Sequence, residues 1–346
     1  MNTAMMNAAE QDAEIEALLI ETIDRLSEDQ ADRTLREAAE QGNWPDSLWN
    51  AISELGLPRC MLPEEQSGSG LGLASAMRAL KRTAFHGLPL PIAESMIASR
   101  LLQAAGLPMP EGIIAAGLAG EDGTMARVPW GAQANHLVAI EGRGANARVT
   151  LYQGTARIIR AEINLAGEPR VTLSPDSMSR VDSRELAHAD ELLMRYGALA
   201  RSAQMAGAME RSLQLALQYA SERVQFGRPI SKFQAVQHML AVQASHAAAC
   251  SAALDGALDV TGEHPTSLCV AIAKARISEA AGLGADIAHQ VHGAMGFTRE
   301  HVLHNLTRRL YAWRDEYGNE VHWQRQIGHE VAAKGADALW PMLSAL

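Results

Sequence analysis

The run Arg223-Val224-Gln225-Phe226-Gly227-Arg228-Pro229-Ile230-Ser231-Lys232-Phe233-Gln234-Ala235-Val236-Gln237 decides how the rest of the chain is read. Upstream, from about His188 to Arg223, there is no proline and only two glycines, so a single helix about 50 Å long fits at 1.5 Å per residue. Gly227 and Pro229 then make a tight corner. A new helix is expected from Ser231, with Gln234 at the capping-box position. Such a corner presents a guanidinium, backbone amides and a helix N-terminus together, a set suited to a pyrophosphate. A purely structural corner would not require its Arg and Gln residues.

Beyond the corner, Ala-rich stretches from about Ser231 to Val260 and from Thr266 to Gly293 continue the helical texture, and long helices of small residues joined by short loops argue for an antiparallel bundle. Toward the N-terminus, Ile15, Leu18, Leu19, Ile23 and Leu26 fall at helical spacing. A second helix is expected from Asp46, carrying Leu48, Trp49, Ile52 and Leu55 and leaving through Gly56 and Pro58. More helix is expected over Ala74–His86 and Ile92–Ala105. Between Gly112 and Ser183 the texture changes to short alternating runs, Arg148–Tyr152 and Arg170–Leu173 among them, punctuated by Gly142, Gly144, Gly154 and Gly167. The expected fold is mainly α: an N-terminal helical domain over 1–111, a small antiparallel β domain over 112–184 and a C-terminal antiparallel helix bundle over 185–346.

The 346 residues are 47% hydrophobic but only 4% aromatic, so the core must be built from Ala, Leu, Val, Ile and Met, which suits helices. Forty acidic against thirty basic residues give a net charge of -10, which argues against a nucleic-acid partner. Cys60, Cys250 and Cys269 show no CxxC spacing, and no export signal or membrane-length apolar run is visible, so a reducing cytoplasm is expected. Ser67-Gly68-Ser69-Gly70-Leu71-Gly72 has Leu73 where a GxGxxG fingerprint needs its last Gly, and is read as a loop between helices. The pairs His289/His292 and His301/His304 have i, i+3 spacing that could share a helix face, but no third ligand is arranged nearby, and no metal is expected. Arg308, Arg309 and Arg314 form the densest basic patch, read either as a hold for a phosphate-bearing ligand or as a solvated helix face.

The corner RVQFGRPISKFQAVQ closely resembles the signature of the acyl-CoA dehydrogenase family. Gln290-Val291-His292-Gly293-Ala294-Met295-Gly296-Phe297 is similar to the family's Q-x-x-G-G-x-G-[FY] stretch, with Ala294 in place of one Gly, and LWNAISELGLPRCMLPEEQSGSGLGL resembles its N-terminal pattern. The resemblance implies FAD bound without a Rossmann fingerprint. Arg223 would meet the pyrophosphate, Phe226 and Gln234 would line the cofactor, and Gln290, Val291, Gly293 and Ala294 would hold the ADP half of a neighbouring subunit's FAD. The implied reaction is α,β-desaturation of an acyl-CoA thioester, with a carboxylate base taking the α proton.

The sequence departs from that pattern at the base. The family's catalytic Glu precedes a Gly about twenty residues beyond the G-F of the second block, where this chain has Tyr317 before Gly318. Glu316 is adjacent, but on a helix a neighbour would point about 100° away. The alternative family position, counted back from Phe226 and Gly227, is Gly197. The family's T-E-P-x-x-G-S segment has no counterpart between Gly112 and Asn135; only Arg127–Asn135 is similar to a family stretch there. A chain that keeps the cofactor corner but lacks the base resembles the shortened subunit of the heteromeric, steroid side-chain type of acyl-CoA dehydrogenase, in an α2β2-type assembly whose longer paralogous subunit brings the Glu. The competing expectation is a structural or binding subunit of the same fold without flavin chemistry.

Overall fold

Capping residues and glycine exits set the first helices of the computed structural model, which describes residues 3–260 and 267–344. α1 (Thr3–Gln30) is followed by α2 (Arg33–Glu40), whose N-cap Asp32 accepts from Leu35 N, and by α3 (Asp46–Glu54), which ends before Gly56 at φ +77°. The glycine-rich run then forms a loop in which Gly68 serves close packing: a Cβ there would lie 2.0 Å from the Leu62 carbonyl oxygen. α4 (Leu73–Phe85) and α5 (Ile92–Ala104) complete the N-terminal helices.

Seven strands follow: β1 (Ile114–Leu118), β2 (Met125–Pro129), β3 (His136–Glu141), β4 (Arg148–Gln153), β5 (Arg157–Ile163), β6 (Pro169–Ser174) and β7 (Ser179–Glu185). They build two sheets, in the orders β1-β3-β4-β7 and β2-β6-β5. Ala115, Met125, Val128, Leu137, Val171 and Leu173 form one buried cluster from both sheets. The expectation of antiparallel pairing holds for every pair but one. β1 and β3 run parallel, Ile114 opposite His136, and the 17 residues between them contain β2, which belongs to the other sheet.

The remaining elements are α6 (Ala189–Glu222), the two-residue strands β8 (Val224–Gln225) and β9 (Arg228–Pro229), α7 (Gln234–Val260), α8 (Ser267–His292), α9 (Leu303–Asp315), α10 (Glu320–Lys334) and α11 (Leu339–Ser344). By contacts the chain divides into two compact units, one of Met1–Ala76 with Pro89–Gly197, the other of Met77–Leu88 with Ala198–Leu346. In the second unit α8 packs on α7, α9 and α10. Small residues let backbones meet there: a Cβ on Gly207 of α6 would fall 2.0 Å from the Lys81 carbonyl oxygen of α4. The helix expected from Ser231 starts later. Ile230–Lys232 form a 3-10 turn and Phe233 is extended, so α7 begins at Gln234 and no capping box forms. Gln237 instead donates its side-chain amide to Ser231 O at 2.9 Å.

Candidate active site and cofactor corner

The corner is a two-residue β-hairpin. Val224 pairs with Pro229 and Gln225 with Arg228, leaving Phe226 and Gly227 at the tip with φ of +52° and +79°. Two left-handed residues in succession are what a type I′ turn needs, and a bulky aromatic in the first of them is strained. The Phe226 side chain is nonetheless 93% exposed, its ring meeting Phe233 edge-on at 6.1 Å between centroids. Arg228 lies over the other aromatic, its guanidinium carbon 4.3 Å from the Phe233 ring centre. Arg223 closes the base of the hairpin with its backbone, accepting from Ile230 N at 2.8 Å, while its side chain is exposed. Gln234, at the first turn of α7, is exposed as well.

The second block lies at the end of α8. Gln290 is exposed, Val291 is buried, and Gly293–Phe297 wind into a 3-10 turn with Gly293 at φ +59°. Val291 shares one apolar cluster with Ala216, Ala220 and Leu240, against which Tyr219 and Ile230 also pack. Sequence blocks some sixty residues apart are thus anchored in the same cluster, whose members Ala220 and Ile230 flank the hairpin. Gly293, Ala294 and the hairpin tip face solvent, and a Cβ on Gly227 or Gly293 would meet nothing within 4 Å. The exposed backbone at two left-handed glycines, an exposed Arg and two exposed Gln are groups of the kind that bind a dinucleotide phosphate.

His289 and His292 share the last turn of α8, whereas His301 and His304 do not lie on one helix. His301 precedes α9, and its carbonyl accepts from His304 Nδ1 at 2.7 Å. His289 shares a hydrogen bond with Thr307 Oγ1 at 2.8 Å and stacks on Phe297, and His292 bonds Ala288 O and stacks on Tyr219. Burial, as the largest cause, lowers the pKa of His289, His292 and His301, favouring neutral rings. Among the described residues no three His, Cys, Asp or Glu gather as metal ligands. The basic patch does not exist as such: Arg309 is buried and donates to Asn305 O, while Arg314 is tied to Glu320. Among the described residues no helix is long and apolar enough to cross a membrane.

The loop after α9 carries the position at which a base is expected. The sequence reading placed Glu316 and Tyr317 on a helix, but α9 ends at Asp315, Glu316 is extended, and Tyr317 and Gly318 take φ of +54° and +86°. Glu316 accepts from Arg201 Nε at 2.8 Å, with side-chain exposures of 16% and 2%. The Arg201 guanidinium carbon lies 5.8 Å from the ring centres of both Trp313 and Tyr317, and Arg201 Nη1 donates to Gln204 Oε1. Tyr317 O accepts from Trp323 Nε1 at 3.0 Å. Gly197 lies buried within α6, and no carboxylate stands at either family position.

Two charged residues of this neighbourhood escaped the sequence reading. Arg201 falls in the buried run Ala198–Met209, and Lys274 between buried Ala273 and Ala275. A lone cation on the apolar face of an Ala-rich helix is the signal that could have found them, because such a charge is retained only with partners. Lys274 Nζ donates to Arg314 O and Gly318 O at 2.8 Å each and reaches Ser278 Oγ at 3.1 Å. Its pKa is lowered to about 7, chiefly by burial, with Glu316 opposing the shift.

The folded chain has known counterparts. Residues 13–108 match the family model for the acyl-CoA dehydrogenase N-terminal domain, and residues 189–325 that for its C-terminal domain. The acyl-CoA dehydrogenase IpdE2 of Mycolicibacterium smegmatis is 28% identical over 323 residues, covering 91% of this chain and 98% of its own. The solved ChsE4-ChsE5 complex from Mycobacterium tuberculosis matches with a TM-score of 0.79 over 92% of this chain and 97% of that one, at 23% identity. The steroid ACAD Tcur3481-Tcur3483 matches with a TM-score of 0.78 over 95% and 99%, at 20% identity. At such identities these two structures speak for the fold alone. With the two terminal-domain models matched over more than half of its length, the chain belongs to the acyl-CoA dehydrogenase family of FAD-dependent oxidoreductases.

Proposed function

We propose that this chain is one subunit of a cytoplasmic FAD-dependent enzyme that desaturates a bulky acyl-CoA at its α,β bond, in an α2β2-type hetero-oligomer whose longer paralogous subunit supplies the catalytic Glu. The observation that carries the reading is the loop after α9. Tyr317 stands at the family's base position, and the adjacent Glu316 is turned into the bundle and held by Arg201 at 2.8 Å. A carboxylate fixed to a buried guanidinium is a poor proton acceptor, because the cation favours its charged form. Kinship in fold with the ChsE4-ChsE5 complex and with a steroid ACAD supports a paired assembly and a bulky substrate.

Arg223 would hold the pyrophosphate of FAD, with Phe226 and Gln234 beside it. Gln290, Gly293 and Ala294 would meet the ADP half of the cofactor of a neighbouring subunit, with Val291, whose side chain is buried, setting the turn from beneath. Bound FAD supplies the acceptor for the hydrogen that leaves the β carbon. This chain's own contribution is to bind and orient: a positioned Arg, exposed amides and an aromatic tip held ready before the ligand arrives.

Expressed alone, the chain should purify colourless and inactive. Co-expression with a longer family chain carrying a Glu at either base position should give a yellow, active complex, and Arg223→Ala in that complex should lower flavin retention. A flavin-replete, active homo-oligomer of this chain alone would sink the reading.

A further inference from the structure

Lys274 is fully buried in the third turn of α8, yet all three of its nitrogen contacts are polar. Two are backbone carbonyls at either end of one short segment: Arg314 O, in the last turn of α9, and Gly318 O, at the exit of the left-handed turn. The last carbonyls of a helix have no intrahelical donor, so a lysine here fills a need that neither α9 nor the loop can meet. The third contact, Ser278 Oγ, makes the arrangement independent of charge. An ammonium donates to all three acceptors, and a neutral amine donates to the two carbonyls and accepts from the serine hydroxyl. Packing alone does not explain the residue, since Met or Leu would fill the space without desolvating an amine.

The segment so bracketed is under demand from other directions. Tyr317 holds a left-handed backbone that a bulky aromatic seldom adopts. Gly318 has no room for a side chain, because a Cβ would lie 2.7 Å from His322 and 2.8 Å from Trp323. Glu316 is drawn toward Arg201. Conformations of this kind persist only where the surroundings over-determine them.

We propose that Lys274 is a positioning residue for the loop Asp315–Gly318, its amine bridging the carbonyls at the two ends and thereby fixing where Tyr317 and Glu316 stand. It acts through the loop and touches neither substrate nor cofactor. The inference rests on the reading that this loop occupies the family's base position, and it gives the loop a fixed shape whichever residue stands there.

Limited trypsin digestion of the full chain tests it, with cleavage after Arg314 measured by mass spectrometry against cleavage after the exposed Arg299. Lys274→Met should raise the Arg314:Arg299 ratio at least tenfold. Lys274→Gln, which keeps an N–H donor, should give a smaller rise, and serves alone should the Met variant not fold. Gln243→Leu removes a buried hydrogen bond to Ser212 elsewhere in the bundle and should leave the ratio unchanged. An unchanged ratio in a folded Lys274 variant, or an equal rise in Gln243→Leu, overturns the proposal. The digestion needs neither flavin nor partner. A tenfold rise together with a flavin-free complex would therefore uphold the clamp while removing the dehydrogenase-subunit reading.

Discussion

Breaking the ion pair between Arg201 and Glu316 should cost far more than breaking a surface pair. At 2.8 Å, with an effective dielectric constant of 20, two unit charges attract by about 6 kcal/mol, of which desolvation cancels a large part. What remains visible is the penalty of leaving one charge behind. Arg201→Met removes the buried cation that holds Glu316, whose side chain is 16% exposed, and should cost about 3–5 kcal/mol. Glu316→Gln strands a guanidinium that still has Gln204 as a partner, and should cost less, about 1–3 kcal/mol. The double variant Arg201→Met/Glu316→Leu removes both charges and should lie within about 2 kcal/mol of the starting chain, so that the two changes are strongly non-additive. Urea unfolding followed by tryptophan fluorescence suits the measurement, because Trp313 lies 5.8 Å from the guanidinium. Single variants that each cost under about 1 kcal/mol, or that simply add, would show a loose pair and return Glu316 to candidacy as a base.

Lys274 should make stability depend on pH. With a folded pKa of about 7 against an ordinary 10.5, the unfolded chain binds the extra proton between those values, so the contribution is complete above 10.5 and is lost as pH falls through 7. The stability advantage of the wild-type chain over Lys274→Met should then grow by about 2 kcal/mol from pH 7 to pH 9, and parallel pH curves would contradict it. Phe226→Asn relieves a left-handed aromatic and should stabilise the isolated chain by about 1 kcal/mol in the same unfolding assay while lowering flavin retention in the complex; destabilisation would show that Phe226 is not strained. Gly207→Ala sets a methyl 2.0 Å from a backbone oxygen and should cost about 3 kcal/mol, visible as a lowered urea midpoint; an unchanged midpoint would mean that α4 and α6 do not meet this closely.

What the sequence disclosed was local, and what it hid was long-range. The hairpin could be read from Arg223 to Gln237 because Gly227 and Pro229 state their conformational needs within a few residues. α7 starts three residues later than the pattern indicates, because Ser231 and Gln234 satisfy a capping pattern that Pro229 and the 3-10 turn pre-empt. The direction of β1 against β3 is invisible in alternation, since both parallel and antiparallel pairs use the same two-residue period. At the base loop, nothing in the nearby sequence forbids a helix through Tyr317. The reasons it ends sooner lie elsewhere in the chain: Glu316 is drawn by a residue 115 positions upstream, and Gly318 O by one 44 positions upstream. Arg201 and Lys274 could have been flagged as misplaced charges, but their partners could not have been named.

The hairpin tip has a consequence for how the protein must be made. Phe226 at 93% exposure, with Val224 at 55%, Met295 at 41% and Phe297 at 70%, leaves apolar side chains of the hairpin and of the turn after α8 in water. Free copies have reason to adhere to one another, at a rate that climbs with the square of their concentration, whereas copies already capped do not. On the hetero-oligomer reading, yield then depends on timing as much as on stability: excess synthesis of this chain over its counterpart should be cleared as aggregate, and balanced synthesis should not.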